Sequence, residues 1–220
     1  MAMDKMGKGK MITIAGIAAM ILLVLTKVSS AAGLAQYSLF VGLALFFVVE
    51  AVEKTPDPQS GLRFSTFFAD FKKPGVLLFV LLPVATAIGS ILLGNLMLGD
   101  RYVNHVLGRT GSILSFDHLP LFIVQLILGA LGEEIAFRGF FVGKGMRLLP
   151  YGLCAVVSSA VFAAAHIAAG DIGVVVYDVA AIFIDALIYA EIYRRTDNCL
   201  ISAVSHLLCN ASAFAFVFLF

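Results

Sequence analysis

Glu133 and Glu134 stand side by side, with Arg138 four residues on, inside a run that is otherwise apolar enough to cross a membrane. A charged side chain at bilayer depth costs about 2.5–3.5 kcal/mol on insertion scales, so such a cluster is expected to be functional. On a helix, Glu134 and Arg138 share a face and can pair. Glu133 then points about 100° away with no cation of its own. A carboxylate left so in low dielectric suits general acid or base work on water. One arginine cannot neutralise both acids, which argues against an ion pair that serves packing alone.

Two more polar groups lie in later apolar runs. Phe162 and His166, four apart, sit in a stretch so rich in alanine and serine that another helix can approach closely. His206 and Asn210, also four apart, share one face of the last run. Two hydrolytic sites can be built from these residue types. Without a metal, Glu133 and His166 would hold and deprotonate a water, and His206 and Asn210 would stabilise the oxyanion of the attacked carbonyl. With zinc, His166, His206 and one glutamate would be ligands and the other glutamate the base. The short H-E-x-x-H signature does not occur in the chain. Asp178 and Asp185, seven apart and so on one face, with Glu191 beyond them, read as the polar lining of a wet cavity. They also keep a proton-coupled transporter in view, with Glu133 in its relay.

These residues need a membrane-embedded scaffold. The chain is 61% hydrophobic and 13% charged, with a mean hydropathy of +1.01, far above the apolar content of an ordinary soluble domain. A net charge of +1 and the lack of a basic block give no reason to expect nucleic acid as a partner. Cys154, Cys199 and Cys209 lie in or beside apolar runs with no C-x-x-C spacing and read as buried thiols.

Runs long enough to span a bilayer fall near 11–30, 34–52, 75–98, 118–143, 151–169, 173–193 and 199–220, which predicts an all-α, polytopic protein of about seven transmembrane helices. The first run follows Lys5, Lys8 and Lys10 like a signal peptide, but its length favours a retained helix. With the N-terminus in the cytosol, the inner segments hold Lys5, Lys8, Lys10, Lys54, Arg63, Lys72, Lys73, Lys144, Arg147, Arg194 and Arg195, and the outer ones only Lys27, Arg101 and Arg109. The positive-inside rule therefore sets that orientation. Residues 54–74 carry Pro56, Pro58 and Gly61, then aromatics and lysines over 64–73 that suit an interfacial helix. Residues 99–117 read as an outer loop, helical or re-entrant in part. Residues 1–117 form an N-terminal unit on this reading, and 118–220 a helical catalytic core of four helices. Gly139 and Gly143 make a GxxxG that serves helix contact within or between chains.

Glu133-Glu134-Ile135-Ala136-Phe137-Arg138, Phe162 to His166 and His206 to Asn210, in this order, resemble the EExxxR, FxxxH and HxxxN motifs of the CPBP family of intramembrane proteases. That family includes the CAAX prenyl endopeptidases of the Rce1 type and the bacterial Abi proteins, some linked to bacteriocin self-immunity. The stretch Ile192 to Leu200 resembles the family's cytosolic turn, and the likeness covers roughly residues 118–213. It implies that Glu133 and His166 activate water, that His206 and Asn210 form the oxyanion site, and that Glu134 and Arg138 support Glu133. It also implies a membrane-associated peptide or protein as substrate, the lipid bilayer as surroundings and a multi-pass place in a prokaryotic cell membrane. The metal-free chemistry is favoured, with zinc as the alternative. Ser202 stands where the family often has proline, and Asp185 where glycine is common. The same fold without catalysis would be an immunity or scaffold protein.

One difficulty is set by helix rise. At about 1.5 Å per residue, straight spans over these ranges put Glu133 at mid-membrane, His206 nearer the cytosol and His166 nearer the outside. Tilt, a kink, or an extension of the fourth helix towards Arg147 is needed to bring them together.

Overall fold

The computed structural model describes residues 2–29, 33–53, 61–112 and 114–219. Among them every long element is helical: α1 (Ala2–Ser29), α2 (Gln36–Glu53), α3 (Phe67–Phe71), α4 (Val76–Leu98), α5 (Arg101–Gly111), α6 (Leu119–Glu134), a π-helical segment (Ile135–Lys144), α7 (Tyr151–Ala165), α8 (Ile172–Thr196) and α9 (Cys199–Leu219). The protein is an all-α polytopic membrane protein, as composition and apolar runs predict. Among the described residues six helices are long and apolar enough to cross a bilayer, one of them the continuous Leu119–Lys144, and Tyr151–Ala165 is a shorter apolar helix. The expected seventh span is thus only 15 residues long, about 22 Å against a hydrocarbon core of about 30 Å.

Local chemistry explains the ends that matter for the site. Pro120 lies in the first turn of α6, where its missing N–H costs nothing. Asp171 caps α8 by accepting from the backbone N–H groups of Gly173 and Val174. The α8 to α9 turn is made at Asp197, which takes the left-handed conformation at φ 51°. α7 stops at Ala165 although Ile167, Ala168 and Ala169 would extend an apolar run. His166 closes the helix, its backbone N–H bonded to Ala163 O at 3.0 Å.

α1 and α2 form a hairpin whose inner face packs on the π segment, and α4 lies against both α8 and α9. Small residues set these approaches: a Cβ on Gly42 of α2 would lie 2.8 Å from Ala136 Cβ, and one on Gly143 would strike the Tyr193 hydroxyl. Phe46, Phe137, Phe140 and Phe162 fill the core between them. Leucines and isoleucines on the outer faces, such as Leu78, Leu128 and Leu153, remain exposed, which is the lipid-facing pattern of membrane helices.

One end of the bundle is held by ion pairs. Lys144 pairs with Glu50, Arg147 with Glu53 at 2.7 Å, and Arg194 and Arg195 with Glu191. Of the expected interfacial linker, Lys54, Pro56 and Pro58 lie outside the described residues. The rest forms the short α3, with Phe64 and Phe68 exposed and Asp70 turned inward. Asp70 meets Lys73 at 3.0 Å and accepts from Asn198 at 3.0 Å, which ties this segment to the α8–α9 turn. The supposed outer loop is mostly the amphipathic helix α5.

Candidate active site

α6 carries the two glutamates on its last turn, and the chain then widens into the π segment, which carries Arg138. Glu134 is fully buried and faces Arg138, with Arg138 Nη1 donating to Glu134 Oε1 at 3.0 Å. Arg138 Nη2 donates to the carbonyl of Ala186 on α8 at 2.8 Å. Its guanidinium lies between two rings, 4.8 Å from the Phe162 centroid and 5.2 Å from that of Tyr189. Two hydrogen bonds and two ring faces offset part of the cost of a cation at this depth, while its Nε has no hydrogen-bond partner. The pairing of Glu134 with Arg138 predicted from helical spacing is present.

Glu133 takes the other side of the turn and lines a cavity of about 480 Å³. His166, His206 and Asn210 line the same cavity, as do Asp178, Asp185, Tyr189, Cys209 and Arg109. His206, on α9, touches both glutamates: Nδ1 is 3.1 Å from Glu134 Oε1 and Nε2 is 3.6 Å from Glu133 Oε2. Since an ionised carboxylate only accepts, Nδ1 is the protonated nitrogen in that contact. The His206 ring is stacked on Tyr189, centroids 4.7 Å apart and planes 21° apart, and meets the edge of Phe162 at 5.9 Å. His166 Nδ1 lies 2.8 Å from the Phe162 carbonyl, which fixes its proton there and leaves the lone pair on Nε2.

The helix ends resolve the depth difficulty. The fourth span runs on through the π segment to Lys144, while α7 is cut short, and its terminal His166 lines the same cavity as Glu133. No straight seven-span bundle is needed. π turns are rare and occur often at functional sites. This one lies directly after the acid pair.

The profile of the family described as type II CAAX prenyl endopeptidase Rce1-like matches residues 115–212. This stretch is similar to that family. It contains Glu133, Glu134, Arg138, His166, His206 and Asn210. No curated protein and no solved structure matches the chain.

The Rce1-like stretch also contains groups whose part is not evident from spacing. Tyr189 gives a stacking surface to His206 and one face of the Arg138 cage. Asp178 is not an open relay group: Arg109 Nε lies 3.0 Å from its Oδ2 and His105 Nε2 lies 3.6 Å from the same oxygen. Asp185 accepts from the Thr86 hydroxyl and from Cys209 Sγ, the latter at 3.7 Å. Ser202 bonds the carbonyl of Cys199 at 3.0 Å within α9. Arg109 lies outside the Rce1-like stretch, in the segment that the sequence alone assigns to an outer loop. The signal for it is Asp178 itself, an acid in an apolar helix that demands a cation on the same side.

Among the described residues no three His, Cys, Asp or Glu side chains are grouped closely enough to share one metal ion. The donors are therefore not gathered into the two-histidine, one-carboxylate zinc set in this arrangement. Chemically, the cavity offers a carboxylate, two imidazoles, each with its Nδ1 engaged elsewhere, and a primary amide.

Proposed function

We propose that the protein is an intramembrane endopeptidase that hydrolyses a peptide bond in a membrane-associated peptide or protein. The observation that carries this reading is the meeting of Glu133, His166, His206 and Asn210, from α6, the end of α7 and α9, on one cavity inside an Rce1-like region. Glu133 accepts a proton from water held also by His166 Nε2, and the oxygen attacks the scissile carbonyl. The Asn210 amide donates to the oxyanion without any change of protonation. His206 Nε2 donates only when the ring carries both protons. The proton taken by Glu133 then passes to the leaving amine. Glu134 and Arg138 act through His206: they hold Nδ1 and so the ring.

The family description supports a prenylated C-terminal peptide as the first substrate class to try. The transporter reading needs Asp178 free to load and release protons, and its engagement by Arg109 speaks against that.

The test is cleavage of prenylated and unprenylated fluorogenic peptides by purified wild type and Glu133→Gln protein in detergent, with and without chelator. Cleavage by wild type that is lost in the variant and indifferent to chelator is expected. Loss on chelation would replace the glutamate-only chemistry with a metal one, and well-folded wild type inert towards every peptide would favour a binding or immunity role.

A further inference from the structure

A second charged cluster lines the cavity on the α5 side, and the proposed hydrolysis makes no use of it. Asp178 of α8 is 2% exposed. Besides the Arg109 Nε contact it receives Arg109 Nη2 on Oδ1 at 3.4 Å, and His105 approaches Oδ2. Both partners come from one helix, α5, which also presents Tyr102, Val103, Val106 and Leu107 to the cavity. α5 packs on α4 and α8. Tyr102 sits against Gly94 and meets Tyr177 edge to face at 4.9 Å. Before α5 the chain passes through Gly99 at φ 62°, a conformation open to glycine and strained for other residues.

An 11-residue helix is too short to be stable alone or to span a bilayer, so α5 stays where its contacts hold it. The contact at its C-terminal end is a part-buried ion pair, Asp178 2% and Arg109 17% exposed, in which Arg109 Nε, Asp178 Oδ2 and His105 Nε2 make no hydrogen bond. Desolvation offsets most of the Coulomb attraction in such a pair, so exchanging it for hydrated partners costs far less than exposing an apolar cap of similar area. A cover held this way is specific in its closed position and still easy to open. We propose that α5 is a hinged cover over the outer side of the cavity, latched by Asp178 to Arg109 and His105, and that its release admits substrate to Glu133. The word substrate rests on the proposed function; the movement of the cover does not.

The native thiols supply a probe. Cys209 lines the cavity, whereas Cys154 and Cys199 are buried elsewhere. In the full chain carrying Cys154→Ala and Cys199→Ala, the alkylation rate of Cys209 by a charged maleimide reads access to the cavity. Asp178→Asn and Arg109→Gln are each expected to raise that rate about fivefold or more by shifting the closed population. The exchanged pair Arg109→Asp with Asp178→Arg should return it to within about twofold of the parent. Gly94→Ala, whose Cβ would strike the Tyr102 ring, should raise it without touching any charge, and decides the matter if the charge variants fail to fold. Unchanged rates in all folded variants would overturn the cover. Faster labelling in a protein that cleaves no peptide would keep the cover and remove the protease; cleavage with labelling indifferent to the latch would do the reverse.

Discussion

Replacing Arg138 isolates the energetic centre of the site. Its side chain is 1% exposed and makes one ion pair, one hydrogen bond to a backbone carbonyl and two ring contacts. Arg138→Met keeps much of the volume but leaves Glu134, which is fully buried, without its cation and held only by His206 Nδ1, and the Ala186 carbonyl without its side-chain donor. Removing one member of a buried pair costs about 3–5 kcal/mol. Glu134→Gln alone strands the guanidinium in the same way. In the double variant neither charge remains, and the neutral amide that replaces the Glu134 carboxylate can still meet His206. The two losses should therefore not add: the double variant is expected to be more stable than their sum by about 2–3 kcal/mol, a coupling of the size seen for groups in one network. Denaturant unfolding of the four proteins in one detergent measures the cycle. Additivity within about 0.5 kcal/mol would mean that Glu134 and Arg138 do not depend on each other and that the cage of rings, not the charge pair, holds this end of α6.

If the Asn210 amide donates to the oxyanion, Asn210→Ala should lower kcat by about 10²–10³-fold with KM nearly unchanged, whereas a loss confined to KM would reassign it to substrate binding. At the charged end, burial pushes the Asp70 carboxyl up, but hydrogen bonds from Thr66, Asn198 and Lys73 and the charge of Lys73 outweigh it and hold it below its ordinary value of 3.8. A carboxylate so lowered stabilises the fold fully above the unfolded value and loses that contribution as pH falls through the folded one. Limited proteolysis of the 61–73 segment should accordingly show protection at pH 6 that declines below about pH 4, and Asp70→Asn should remove the pH dependence together with much of the protection. An unaltered profile in the variant would assign the protection to another group.

Much of this architecture follows from patterns that hydropathy reads well. Long apolar runs locate the spans, and the four-residue spacings of Glu134 with Arg138 and of His206 with Asn210 put the right side chains on common faces. What escapes are features that leave hydropathy unchanged. The run from Tyr151 continues apolar to Ala169, so hydropathy does not mark the stop at Ala165, where His166 turns its Nδ1 back onto the Phe162 carbonyl. The π segment has the composition of an ordinary span, so its widening leaves no mark in hydropathy. Arg109 is hidden because a positive charge in a polar loop is ordinary, and only the fold shows that it reaches an aspartate 69 positions away.

The brevity of α7 has a consequence for the lipid around it. Leu153 and Val156 on this helix face outward, 48% and 50% exposed, so acyl chains must meet a hydrophobic wall about 8 Å shorter than the hydrocarbon core they come from. Lipids answer such mismatch by thinning locally, at fractions of a kcal/mol per ångström. The bilayer is thus expected to thin beside the helix that ends in His166, which would bring the aqueous phase nearer that residue than its place in the sequence implies. Membrane thickness becomes a variable of the site itself: thick, saturated bilayers would resist this thinning and thin ones would welcome it.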